Sequence, residues 1–377
     1  MAEQLLTVPN DADGMMPMLD VAIIGAGLSG LSLAEKLLRK KSNIGVFEAR
    51  ERCGGRILSA SAPAQVFTAD LGPTWLWPMD QPLITALAER LGLTLFPQWD
   101  RGQSLYQVQA NAIPASYIDT QTHADARRIA GGCQQLIDGL LQHIPERVLH
   151  LGHRLLGLSD QGSHVDLTFA TDNSVNTIQA RQVVLAAPPR LLANSITFQP
   201  ALALGLLSLM QDTPTWMAGH AKAVLVYEQA FWRLQGYSGN AISPYPSAVL
   251  AEVYDACSHD TGTSALFGFF GLPAQIREQY QDSLSALIVR QMVGLFGPAA
   301  ANPLSVVIQD WSQETFTATL ADRAPTFEHP SYGHRALQLD HWQDKLYFCG
   351  TETASRSGGY LEGALEASDR VFCALTL

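Results

Sequence analysis

Basic residues are scarce in this chain. Its 377 residues carry 24 Lys and Arg against 35 Asp and Glu, a net charge of −11. No basic footprint exists for a nucleic acid or for adhesion to an anionic membrane. Cysteine is scarce as well: Cys53, Cys133, Cys257, Cys349 and Cys373 are odd in number, scattered, and form no C-x-x-C pair. They frame neither a disulfide scaffold nor a zinc site, so no metal is expected, and they read as reduced thiols of a cytoplasmic protein. No apolar run reaches the roughly 18 residues of a membrane-crossing helix. The N-terminal stretch contains Glu3, Asp11 and Asp13 and lacks the basic-then-apolar order of a secretion signal. A soluble, cytoplasmic protein is the expectation, with a homodimer left open.

Apolar residues are plentiful. At 47% hydrophobic and 16% charged, the chain is globular and long enough for one large domain or two ordinary ones. Its most informative stretch begins with the apolar run Leu19–Ile24. Gly25-Ala26-Gly27-Leu28-Ser29-Gly30 follow, then a helical pattern, then Ile44–Phe47 ending at Glu48 and Ala49. Strand, glycine turn, helix, strand and terminal acid make a dinucleotide-binding unit. Gly25 permits the tight turn, Gly27 lets backbone approach a pyrophosphate, and Gly30 lets helix pack on strand. The helix N-terminus at Leu28 offers free N–H groups and partial positive charge to phosphate. Glu48 is placed to accept from a ribose. The unit alone admits NAD or FAD; Gly54-Gly55-Arg56 just downstream favours FAD.

Further along, Gln81 to Ile144 shows helical periodicity (Leu83, Ile84, Leu87, Leu91; Ile129, Leu136, Ile137, Leu140) and reads as a helical insertion. Strands are expected at Arg154–Leu158, Val165–Phe169 and Val183–Pro189, the last an apolar run suited to burial on both faces. A β-rich region follows, then a helix over Ile276–Phe296. The end repeats the opening order: Leu346–Gly350, Gly358-Gly359, and a helix from Tyr360 to Leu375. The expected fold class is α/β, a discontinuous Rossmann-like nucleotide domain with an inserted α+β substrate domain. The boundaries are 18–78, 146–212 and 333–377 for the first, 79–145 and 213–332 for the second, and 1–17 for an N-terminal extension.

Gly350-Thr351-Glu352-Thr353-Ala354 and Gly359-Tyr360-Leu361-Glu362-Gly363-Ala364, with Asp70–Trp75, Lys222, Phe231-Trp232 and Asp310-Trp311, complete a set of ordered motifs. Together with the N-terminal unit this set resembles the flavin-containing amine oxidases, over about Leu19 to Ala374. The resemblance implies FAD held by Gly25, Gly27, Leu28, Ser29, Gly30 and Glu48, and by a second loop of Ala49, Arg50, Gly54, Gly55 and Arg56. It implies further contacts from Gly72, Pro73 and Thr74, from Leu155 through its main chain near adenine, and from Trp311. Gly350, Glu352, Gly359, Tyr360 and Leu361 close the flavin end, where a helix N-terminus stabilises the reduced ring.

Two side chains are the catalytic candidates. Lys222 shares a strand face with Val224 and Val226, an unusual place for a lysine without a partner. In the family the matching lysine serves the reaction of reduced flavin with oxygen, where a fixed cation favours superoxide. Tyr360 matches one wall of the aromatic cage that orients the amine. The other wall, and the cysteine that attaches flavin covalently in some members, match Thr319-Leu320-Ala321, which holds neither. FAD is therefore expected to be non-covalent, with Phe316, Phe327 or Tyr332 as substitutes for the missing wall. The implied reaction is hydride transfer from an amine to flavin, giving an imine, with O2 as the second substrate. A desaturase-like reaction on a non-amine, or a flavin-bearing binding protein without turnover, remain as alternatives. No acid–base side chain is evident, and simple amines and amino acids are both open as substrates.

Overall fold

A computed structural model of the chain describes residues 17–61, 68–119, 121–259, 264–324 and 328–375. Two sheets organise it. The first runs in the order Thr197–Gln199, Arg154–Asp160, Val165–Ala170, Val175–Leu185, Leu19–Ile24, Ile44–Phe47, Leu149–His150. The long strand Val175–Leu185 belongs to two neighbourhoods. Its first half pairs antiparallel with Val165–Ala170. Its second half lies parallel to Leu19–Ile24 on one side and Leu346–Phe348 on the other. Both ends of the chain thus meet on one strand, and the apolar run at Val183–Leu185 is buried as its composition requires.

Helices cover both faces. Leu28–Arg39 buries Leu28, Leu31, Leu33, Ala34 and Leu37, which include three- and four-residue steps, with Lys36 and Arg39 in the last turn where the helix dipole favours cations. Each such fully buried leucine contributes about 2 kcal/mol. Leu361–Ala374 packs on the same side, and so do Pro82–Arg90 and Gln134–Leu141. Pro189–Ser195 and Leu204–Asp212 cover the opposite face.

The second sheet has seven strands: Ser305–Asp310, Ala221–Tyr227, Ser264–Phe270, Leu250–Asp255, Tyr237–Ile242, Gln103–Tyr106 and Ala115–Tyr117. All seven residues of Ala221–Tyr227 are buried. Ala221, Ala223, Leu225 and Tyr227 pack beneath the helix Leu284–Phe296. Val224 and Val226 face a cluster with Ala69, Leu71, Tyr254 and Phe267.

Two expectations are corrected. The segment 81–144 is not wholly helical. Its two helices enclose short strands at Leu95–Pro97, Gln103–Tyr106, Ala115–Tyr117 and Arg127–Ile129. Ile129 is thus a strand residue, and the helical repeat is real only at the two ends. The expected helix Ile276–Phe296 is broken into Ala274–Gln279 and Leu284–Phe296 by a tight turn at Gln281–Ser283. Among the described residues no helix is long and apolar enough to cross a membrane.

Candidate active site

A cavity of about 470 Å³ runs from the glycine turn after the first strand to the face of Ala221–Tyr227. At its nucleotide end the wall is largely backbone. Gly25 has φ +110°, and a Cβ there would sit 2.6 Å from the Ala186 carbonyl oxygen. A Cβ on Gly30 would lie 2.0 Å from the Gly25 carbonyl oxygen, so this glycine seats the helix on the turn. Gly27, Leu28 and Ser29 line the cavity, whereas Gly30 does not. The helix begins with no side-chain cap and no acid in its first turn, which leaves its N–H groups available to an anion. The Ser29 hydroxyl is already committed to the Cys349 carbonyl, so what Ser29 offers here is its backbone.

Glu48 is buried at the end of its strand. One oxygen accepts from the Ala26 N–H at 2.9 Å and the other from the Arg50 N–H at 3.1 Å. Ala49 and Arg50 continue the wall. The Arg50 guanidinium pairs with Glu314 at 3.3 Å and donates to Thr317 Oγ1 at 2.6 Å. Gly54 ties the second loop to the first through its N–H on the Ala26 carbonyl at 2.8 Å. Gly55 and Arg56 carry the wall on, and Leu155 borders the same end.

Glu352 stands one layer behind the wall, with no exposed surface. Arg56 is 2.7 Å from one of its oxygens, and neither oxygen has a directed hydrogen bond. A buried carboxylate with unused acceptors beside an arginine suits a chain of hydroxyls. The ribityl of FAD is such a chain, and the residues present fit the cofactor.

At the other end the wall becomes side chains. Gly72, Pro73 and Thr74 border it, and Trp311 braces them by donating from Nε1 to the Leu71 carbonyl at 3.0 Å. Lys222, 2% exposed, points onto this segment. Its Nζ donates to the Gly72 carbonyl at 3.1 Å and to Thr74 Oγ1, and lies 4.1 Å from the centre of the Phe267 ring. Burial pushes its pKa down to about 7, against the pull of the Asp70 carboxylate. Asp70 is itself pushed up by burial, and is held by the Cys133 N–H at 2.7 Å and by Ser59 at 2.8 Å. Gly350, Gly359, Tyr360 and Leu361 complete this end, at the N-terminus of Leu361–Ala374.

The aromatic surroundings differ from expectation. Tyr360 stacks on His329 at 5.1 Å with 10° between planes, and His329 also meets Trp216 at 4.6 Å and Tyr332 at 5.5 Å. Thr319 and Asp322 close a capping box whose carboxylate binds Arg190 at 2.6 Å. That anchors the 319–322 turn away from the cavity, and Leu320 is 84% exposed. Phe316 lines the nucleotide end beside Arg50; Phe327 lies outside the described residues. Among the described residues Tyr332 meets the cluster through His329, its hydroxyl donating to the Pro214 carbonyl at 2.8 Å. Trp216, His220, Phe269 and His329 were missed in the sequence. Only Trp216, in Thr213-Pro214-Thr215-Trp216, carried even the weak signal of a large aromatic outside a periodic element.

A glycine-turn nucleotide site joined to a lysine-bearing substrate chamber defines a flavin-dependent oxidoreductase by its architecture. The family model "Flavin containing amine oxidoreductase" matches residues 108–375, and a model for an NAD(P)-binding Rossmann-like domain matches residues 23–91. The chain belongs to the flavin-containing amine oxidoreductase family, and its cofactor is FAD. It is 24% identical to a probable flavin-containing monoamine oxidase A of Dictyostelium discoideum, over 95% of this chain and 97% of that protein. It is also 24% identical to flavin-containing amine oxidase A of Equus caballus, over 94% of this chain and 84% of that protein. Solved structures of similar fold include a putrescine oxidase bound to putrescine (TM-score 0.77, 20% identity, 95% of this chain and 98% of that one). Cyclohexylamine oxidase from Brevibacterium oxydans is another (TM-score 0.77, 21% identity, 95% and 99%).

Proposed function

We propose that this cavity holds FAD without a covalent bond and oxidises an amine with an apolar body and a single charge, using O2 and releasing peroxide. The observation that carries the reading is Lys222: a buried cation fixed against Gly72 and Thr74 in the same cavity as Glu48, Arg56 and the glycine turn. Bound there, FAD would supply the hydride acceptor for the carbon bearing the nitrogen and the means of reducing dioxygen. Lys222 supplies a preorganised positive charge where superoxide develops. Tyr360, Trp216, Phe269 and Trp77 give the substrate an apolar, water-poor enclosure. Among the described residues on the wall the one acid is Glu48, at the nucleotide end, so a second ammonium finds no partner beside the reacting one. No cysteine lies on that wall, which supports the non-covalent reading. The five cysteines are all unpaired, in keeping with a cytoplasmic setting.

Anaerobic titration of the purified flavoprotein with mono-, di- and polyamines and amino acids tests this. Bleaching of the flavin by apolar monoamines, with peroxide on admitting air, is the expected result. Flavin that no amine reduces would overturn it.

A further inference from the structure

Pro82 opens the helix Pro82–Arg90, and a proline at that position has no N–H to satisfy. The next two N–H groups, of Leu83 and Ile84, are taken by the Glu362 carboxylate at 3.0 and 2.9 Å. Glu362 lies two residues beyond Tyr360, so this carboxylate fastens the helix start to the substrate end of the cavity. Gln81, the residue at the N-cap, is thereby released from capping, and its side chain makes no cap bond.

The freed carboxamide turns back on its own turn. Oε1 accepts from the Trp77 N–H at 3.2 Å, and the Gln81 N–H reaches the Trp77 carbonyl at 2.8 Å. An N–H requires the oxygen of the amide, so the carboxamide has one orientation and Nε2 forms its other end. Among the described residues Nε2 has no acceptor, and unlike the sealed Nδ1 of His220 it keeps accessible surface. Gln81 is 6% exposed and borders the cavity beside Trp77, and that surface opens onto the chamber. A donor left unpaired in an apolar enclosure costs free energy until an acceptor arrives.

The charges at this end decide which acceptor fits. An ammonium offers no lone pair to a donor. A carboxylate calls for a cation, and the cations here are committed, Lys222 to Gly72 and Thr74 and Arg56 to Glu352 at 2.7 Å. A neutral oxygen calls for neither. We propose that Gln81 determines specificity, its Nε2 donating to an ether, hydroxyl or carbonyl oxygen on the apolar body of the amine. The assignment rests on the amine-oxidation reading above and narrows its substrate class to oxygen-bearing amines. The contact lies away from the reacting carbon, so it acts on binding in preference to the limiting rate.

The experiment is stopped-flow reduction of the holoprotein without oxygen by 3- and 4-methoxybenzylamine and by the matching ethylbenzylamines. Ethyl keeps the shape of methoxy and removes the acceptor. The quantity read is the ratio of apparent Kd, ethyl over methoxy, taken within one protein so that any general effect of a substitution cancels. Gln81→Leu and Gln81→Glu should each lower this ratio about fivefold for at least one of the two pairs, the worth of one neutral hydrogen bond. Gln81→Glu keeps an oxygen for the Trp77 N–H and loses only the donor, so it carries the test even where Gln81→Leu sheds flavin. A ratio that falls less than twofold for both pairs, in either variant that holds flavin, overturns the assignment. Failure of every amine to reduce the unmodified flavoprotein sinks the amine reading instead, and is distinguishable because it appears before any variant is made.

Discussion

The two ends of the cavity are made differently. The nucleotide end is largely backbone: a glycine turn, a helix N-terminus and a glycine-rich second loop, all between Leu19 and Arg56 and tied together by Gly25 on Phe47 and Gly54 on Ala26. The substrate end is side chain: Lys222 from one sheet, Thr74 and Trp77 from a loop, Trp216 and His220 from the segment before the strand, Tyr360 from the residue that precedes the helix Leu361–Ala374. Backbone recognition tolerates almost no added atom but accepts many neighbouring side chains. The substrate end tolerates exchange, and there each exchange alters rate or selectivity in place of assembly.

The largest effect separating the two ends is expected from Gly30→Val. Its Cβ would lie 2.0 Å from the Gly25 carbonyl oxygen, and overpacking of this kind costs about 3 kcal/mol. The variant should purify without flavin and with a lowered melting temperature, read from visible absorbance and thermal unfolding. Flavin retained at full occupancy would break the comparison.

Lys222→Met comes next. It should bind flavin and still be reduced by amine, yet slow reoxidation by oxygen about 10²-fold, the worth of one preorganised charge. In the unmodified protein the effective form is protonated. Its pKa is about 7, so the protonated fraction falls as pH rises through that value. Reoxidation should therefore be fast below about pH 7 and slow above it, and the Met variant should lose that dependence. Double-mixing stopped flow checks both.

A smaller effect is expected at the aromatic cluster. Tyr360→Ala should raise KM for an apolar monoamine about tenfold, and Tyr360→Phe by under about threefold, since packing dominates. His329→Ala removes a ring stacked on Tyr360 at 5.1 Å, an interaction worth about 1 kcal/mol, and should shift KM by under about fivefold. The smallest effect is expected from Leu320→Tyr, which restores the aromatic of the family pattern. At 84% exposure the new ring should leave kcat and KM within about twofold, surface changes being near neutral. A tenfold gain would mean that the 319–322 turn reaches the chamber after all.

What could be read before folding follows the same division. Gly25, Gly27, Gly30 and Glu48 carry their roles in local spacing, because the turn, the helix start and the strand end are each fixed by a few consecutive residues. Lys222 was legible by contrast, a cation on a strand face shared with Val224 and Val226. The segment 81–144 misled because helical repeats at its two ends were read across strands of three or four residues, too short to set a period of their own. The second aromatic wall was sought at Thr319–Ala321 by motif position. The Asp322–Arg190 pair holds that turn elsewhere, and no local pattern encodes an ion pair across 132 residues.

By itself the sequence determined the family, its cofactor and the class of chemistry, and it singled out the glycine turn, the acid at the strand end and the lysine that is out of place. The tertiary structure alone decided which rings join Tyr360. His329 stacks on it, Trp216 meets His329, and His220 lies beside Trp216. Side chains that meet only after packing leave no spacing in the sequence to read.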